Sequence, residues 1–210
     1  MSEPDPATLW IADQPLVLAS TSRTRRNLLE AAGIAVETRQ PGVDERAIEE
    51  PFSSSGAPIE DLASLLAREK ALAVSRREPG RLVLGADQTL ECDGRQFHKP
   101  VDIAAARNQL AALSGKTHHL HSAAALARDG EVVFEVVSTA DLDVRPLEEA
   151  FVTRYVEVVG DSVLSSVGGY QVEGAGVQLF SRINGDYFTI LGLPLLPVLA
   201  FLREEGCLAS

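Results

Sequence analysis

The stretch LVLASTSRTRRNLLEAAG, residues 16–33, constrains the fold more than any other part of the chain. Leu16–Ala19 form a short apolar run bounded by turn-forming residues, the pattern of a buried strand. RRNLLEAAG then carries helical spacing and meets a stop signal at Gly33. Ser20, Thr21 and Ser22 fill the turn between them. A strand, a hydroxyl-rich turn and a helix start aim backbone N–H groups at one spot, which suits phosphate. Arg23, Arg25 and Arg26 follow at once, although the chain has a formal net charge of −11. Arginine at a helix N-terminus opposes the macrodipole unless an anion lies between. The cluster is therefore either a solvated helix start or the wall of a local anion pocket.

The remaining segments alternate in type. IEDLASLLAREKALAVSRRE follows a Pro/Gly/Ser-rich stretch at 51–58 and reads as a helix. Leu62, Leu65, Leu66, Leu72 and Ala73 form its apolar stripe, with Lys70 at the edge. RLVLGADQTLECDG reads as a strand interrupted at Gly85 and Asp87. DIAAARNQLAALSG is a helix capped by Asp102 and closed before Gly115. HHLHSAAALA and EVVFEVVSTADLDV form a hairpin across Asp129-Gly130, and Phe134, Val136, Ala140, Leu142 and Val144 mark one covered face. LEEAFVTRYVEVV and LPLLPVLAFLREEG add two amphipathic helices around glycine-rich segments. Interleaved strands and helices place the chain in the α/β or mixed class.

With 210 residues and 45% hydrophobic content, the chain can build one good core or two lobes sharing a cleft. Residues 1–14 read as a flexible polar leader and 15–210 as a single domain. No apolar run approaches the length of a membrane span. Cys92 and Cys207 make no CxxC pair, which suits a reducing cytoplasm. The acidic balance argues against binding a nucleic-acid polymer, though not against a small anion in a basic pocket.

Asp87 lies in an apolar strand, where its charge needs a nearby cation or metal. Glu45, in GVDERAIEE, is otherwise a plain loop carboxylate. Lys70, Lys99 in FHKP and Lys116 in SGKTHH are separated cations, and Pro100 fixes the backbone beside Lys99. Carboxylates with spread cations suit metal-assisted phosphoryl chemistry: cations offset polyphosphate charge while a carboxylate activates water. GGYQVEGAG lacks the pattern of a phosphate-binding loop and reads as close-packing glycines along a substrate wall, with Glu173 facing a base. No GxSxG elbow occurs, which disfavours a serine nucleophile. His118 and His119 fall on opposite faces of a strand, a poor metal pair.

Taken together, LASTSRTRRNLL, VDE, LAREKA, LGADQ, KP, LSGKTH, GGYQVEG, INGDYF and GLPL resemble the Maf family of nucleoside triphosphate pyrophosphatases, from Leu16 to the last helix. The resemblance implies a Maf/ITPase-like α/β fold, a mixed central sheet with two lobes flanking a deep nucleotide-binding cleft. It implies hydrolysis of the α–β phosphate bond with a divalent cation, Mg²⁺ first and Mn²⁺ or Co²⁺ as alternatives. It also implies a homodimer. By position, Asp87 would be the proton acceptor and, with Glu45, a metal ligand. Lys70 and Lys99 would brace phosphate oxygens, and Ser20 and Arg25 would hold the triphosphate.

Thr24, Gln88 and Glu173 occupy the family's specificity positions. Gln and Glu there match members that prefer 7-methyl-GTP, whereas Thr24 matches neither that branch nor the dTTP/UTP branch. An acidic side chain can pair with a purine's N1–H and N2 amine. The expectation is an enzyme acting on modified or non-standard nucleotides. The alternative is a nucleotide-binding regulator of cell division with weak or no catalysis.

Overall fold

In the computed structural model of the chain, which describes residues 9–209, the opening apolar run is strand β1 (Leu16–Ala19), buried at every position. It pairs in parallel with β2 (Val36–Thr38) on one side and β3 (Val83–Cys92) on the other. Short β4 (Arg95–Phe97) returns antiparallel along β3. β5 (Thr117–Arg128), β6 (Glu131–Val144) and β7 (Phe180–Asn184) complete a mixed seven-stranded sheet in the order β2-β1-β3-β5-β6-β7, with β4 paired to β3 off that path. The expected α/β class with a mixed sheet is what the chain adopts. The turn between β5 and β6 holds Asp129 and Gly130 at φ 53° and 82°, the left-handed pair a two-residue hairpin requires.

Seven helices surround these strands among the described residues: α1 (Arg23–Ala31), α2 (Glu45–Ser55), α3 (Ile59–Ser75), α4 (Ile103–Leu113), α5 (Glu149–Val159), α6 (Tyr187–Ile190) and α7 (Leu195–Glu204). None is long and apolar enough to cross a membrane. Asp102 caps α4 as expected, its side chain accepting the Ala105 N–H at 2.7 Å. The chain divides into two compact units. One holds the residues through Gln88, Ser122–Ser138 and those from Leu191 onward; the other holds Thr89–His121 and Thr139–Ile190.

In the first unit, α3 turns a face of small residues to the sheet. Ala63, Ala67 and Ala71 pack with Ala123, Ala125 and Ala127 of β5. The approach is closest at Gly85, where a Cβ would sit 2.2 Å from the Ala67 carbonyl oxygen and 2.6 Å from the Ala71 nitrogen. Gly85 therefore does not interrupt β3, contrary to the sequence expectation. It lets a helix lie on a continuous strand, and β3 also runs unbroken through Asp87.

The buried stripe of α3 is likewise rotated from the expected one. It comprises Leu62, Ala63, Leu66, Ala67, Lys70, Ala71 and Val74, while Leu65, Leu72 and Ala73 are half-buried. Lys70 is thus within the stripe, not at its edge. Part of the 51–58 stretch also differs from its reading, because α2 runs through Pro51 to Ser55 and closes on Gly56 at φ 73°. Asp44 starts α2 by accepting the Ala47 N–H. Residues 1–8 of the expected leader lie outside the described residues. Beyond them Trp10 is buried and forms a bridge with Leu208.

The second unit has its own apolar core. α4 contributes Ala106, Leu110 and Leu113, α5 contributes Val152, Tyr155 and Val156, and β6 contributes the alternating Ala140, Leu142 and Val144. Within it, His118 Nε2 and the Tyr170 hydroxyl share a hydrogen bond of 2.6 Å. His118 Nδ1 has no hydrogen-bond partner among the described residues. Burial holds the His118 pKa down to about 4, with His119 lowering it further and Asp143 opposing. His119, on the opposite strand face, pairs instead with Asp141 at 2.8 Å.

Candidate active site

Three charged side chains meet in the first unit. Lys70 Nζ lies 2.5 Å from Asp87 Oδ1 and 2.7 Å from Glu45 Oε1. The lysine side chain is 7% exposed and that of Asp87 12%, whereas Glu45 is 49% exposed. Each comes from a different element. Lys70 projects from the middle of α3, Asp87 from β3, and Glu45 from the first turn of α2, where a carboxylate is favoured by the helix dipole. A buried ammonium and a buried carboxylate persist because each is the other's counter-charge.

Strand register brings the phosphate-like turn beside this group. Ala19 pairs with Gly85, so β1 ends just where β3 reaches Ala86 and Asp87. Ser20, 7% exposed, accepts the Ser22 N–H on its hydroxyl at 3.1 Å. Ser22 then caps α1, its hydroxyl accepting the Arg25 N–H and its carbonyl the Arg26 N–H. The amides of Arg23 and Thr24 have no hydrogen-bond partner among the described residues, and such a pair of N–H groups at a helix start is a seat for an anion.

The three arginines have different fates. Arg26 pairs with Glu30 one turn on, in the solvated manner of an i,i+4 pair. Arg23 is exposed and makes no ion pair among the described residues. Arg25 turns inward: its Nε donates to the Gly192 carbonyl at 2.7 Å and its Nη1 to the Ala86 carbonyl at 2.8 Å. Burial lowers the Arg25 pKa, and the charges of Asp87 and Glu45 oppose that shift. With Nε and one Nη1 hydrogen on backbone carbonyls, the second Nη1 hydrogen and Nη2 are left for the triphosphate grip that the resemblance implies.

Of the specificity positions, Thr24 and Gln88 belong to this unit and are half-buried. Gln88 Nε2 donates to the Ser122 hydroxyl at 3.0 Å. Ser122, wholly buried, and Gly192 were not singled out by sequence. No spacing pattern marks Ser122, and Gly192 was visible only within GLPL. Lys99 and Glu173 lie in the second unit, both exposed. The segment before Lys99 is fastened by Gln109, whose Nε2 donates to the His98 carbonyl at 2.7 Å. Glu173 sits in a tight turn closed by the Gly174 N–H on the Gln171 carbonyl. Lys116 pairs with Asp93 at 3.0 Å in an open ion pair.

A sequence profile described as Maf-like protein matches residues 15–205. The chain belongs to the Maf family. A 7-methyl-GTP pyrophosphatase of Brucella abortus biovar 1 (strain 9-941) is 55% identical to this Maf protein over 193 residues, covering 92% of this chain and 97% of that one. A nucleoside triphosphate pyrophosphatase of Rhodopseudomonas palustris (strain ATCC BAA-98 / CGA009) is 54% identical over 202 residues, covering 96% and 99%. Among solved structures, a nucleoside-triphosphatase / dITP/XTP pyrophosphatase from Mycobacterium abscessus aligns over 92% of this chain and 95% of that one. Its identity is 18% and its TM-score 0.40.

Proposed function

We propose that this Maf protein is a nucleoside triphosphate pyrophosphatase that cleaves the α–β phosphate bond of modified or non-standard nucleotides. The observation that carries the reading is Lys70 holding Asp87 and Glu45 beside the uncapped amides of α1. In the reaction, water attacks the α phosphorus while Asp87 takes its proton. The α–β bridging bond breaks, pyrophosphate departs with the electron pair, and a nucleoside monophosphate remains. Lys70 keeps the Asp87 carboxylate in place and sets positive charge beside the phosphate oxygens. Ser20 and the Arg23 and Thr24 amides seat the polyphosphate.

Among the described residues no cluster of three or more His, Cys, Asp or Glu could hold a metal alone. Two carboxylates, one of them half exposed, nevertheless fit Mg²⁺, which takes one or two protein carboxylates and completes its shell with phosphate oxygens and water. Glu45 and Asp87 are the residues that would hold it, and it would supply charge neutralisation on the phosphates. Lys99 and Glu173 enter by resemblance, as a second phosphate brace and a purine-facing acid. Gln88 and Glu173, with relatives that bear the name 7-methyl-GTP pyrophosphatase, lean the substrate toward a methylated purine nucleotide.

The test is pyrophosphate release from 7-methyl-GTP, dTTP, UTP and further modified triphosphates, with and without Mg²⁺, by wild type and Asp87→Asn. Removing a general base should lower turnover by about 10²–10⁴-fold and cost far more in turnover than in nucleotide affinity. Wild-type turnover in the variant would remove Asp87 from the reaction. Tight binding without release from any triphosphate would favour the regulator.

A further inference from the structure

We infer that Arg25 is a positioning residue, whose guanidinium ties the Ala86 carbonyl to the Gly192 carbonyl and thereby fixes the strand segment that presents Asp87 and Gln88. The inference rests on the pyrophosphatase reading for its kinetic arm only.

Three chain segments distant in sequence meet at this one side chain: the first turn of α1, the middle of β3 and the turn before α7. Both contacts are short, at 2.7 and 2.8 Å, and both acceptors are backbone oxygens, so they constrain main chain rather than a rotatable side chain. Ala86 immediately precedes Asp87, and its carbonyl cannot move without turning the peptide plane that carries the Asp87 amide. Gly192 has φ 92°, a conformation that favours glycine, and a Cβ there would lie 3.5 Å from Arg25 Nη2 and 3.6 Å from Gln88 Oε1. Arg25, Gly192 and the Gln88 amide are therefore neighbours, and Ser122 holds the other end of that amide.

The two carbonyls are met by two different nitrogens of one rigid, planar fork, Nε and Nη1. A lysine carries the same charge on a single nitrogen, and so separates the two roles open to Arg25. A phosphate grip needs charge, which lysine supplies. This brace uses two nitrogens at fixed separation, which lysine's one nitrogen does not reproduce.

The experiment compares wild type, Arg25→Lys and Arg25→Gln for kcat and KM of pyrophosphate release, for restoration by added guanidinium at non-denaturing concentration, and for amide hydrogen exchange. Positioning predicts that kcat falls at least about tenfold in both variants, with KM held within about threefold, because a small misplacement of the base weakens the chemical step more than binding. It also predicts that guanidinium restores part of kcat in Arg25→Gln. Exchange should rise at residues 86–88 and 192–193 in both variants and stay unchanged in the second unit. A lysine variant with wild-type kcat, or a rise in KM with kcat kept, would overturn the inference in favour of a direct phosphate grip. Should Arg25→Gln fail to fold, the lysine variant decides. Should wild type itself release no pyrophosphate, the functional reading falls while the exchange measurement still decides the brace: protection equal to wild type at 86–88 would refute it.

Discussion

Replacing Gly85 with alanine adds one methyl group at the tightest contact described between a helix and the sheet. That carbon would meet the Ala67 oxygen at 2.2 Å and the Ala71 nitrogen at 2.6 Å, where real Cβ contacts essentially never fall below 3.0 Å. Both obstructing atoms are backbone, so no rotamer change relieves the overlap and α3 itself must withdraw by roughly 1 Å. Overpacking of this kind costs about 1–3 kcal/mol, and a displaced helix belongs at the upper end. The same shift carries Lys70 away from Asp87, now 2.5 Å apart, and a misplacement of about 1 Å can slow a reaction about 10²-fold. Trp10, the single tryptophan, is buried in the same unit and reports its unfolding by fluorescence. The expected result for Gly85→Ala is a urea midpoint lowered by roughly 1 M, taking a slope of about 2–3 kcal/mol/M, together with strongly reduced pyrophosphate release. An unchanged midpoint and unchanged turnover would refute the claim that the glycine exists to admit the helix.

Lys70→Met should destabilise the first unit by about 3–5 kcal/mol, because it leaves the Asp87 charge buried alone. Adding Asp87→Leu should recover most of that loss by urea titration, though none of the activity. The buried His118 is held neutral, so the unfolded chain binds its proton more readily than the folded one. Stability from this group is complete above about pH 6.5 and is lost as pH falls toward about 4, by at most about 3 kcal/mol. Urea unfolding followed by circular dichroism at pH 7.5 and 4.5 should show a smaller drop for His118→Phe than for wild type, and equal drops would contradict the assignment.

The elements legible in the sequence were those whose signals are local. β1 with its turn and α1, the Asp102 cap and the Asp129-Gly130 hairpin all follow from neighbours within a few residues. What escaped depends on partners far along the chain. The α3 stripe was read from its leucines, yet alanines at 63, 67 and 71 set the face, since only small side chains let the helix approach Gly85. Lys70 looked peripheral because a lysine belongs at a stripe's edge unless acids from two other elements meet it there. α2 escaped because Pro51 and three serines resemble a linker. The residue types of the site, Glu45, Lys70 and Asp87, stood out by motif. The inward turn of Arg25 did not, since nothing near it in sequence announces an acceptor at Gly192.

Trp10 and Leu208 are bridge partners, the Ile11 N–H reaches the Cys207 carbonyl, and the Ala209 N–H reaches the Leu9 carbonyl. Residues 9–11 and 207–209, at the two ends of the described chain, thus lie side by side. A short covalent link from residue 209 to residue 9 would close these segments into a ring with little distortion, and new ends could be cut at the exposed Asp93-Gly94 turn between β3 and β4. Such a permuted chain would keep every hydrogen bond of the Lys70 cluster, because none of them depends on the order in which the segments are strung.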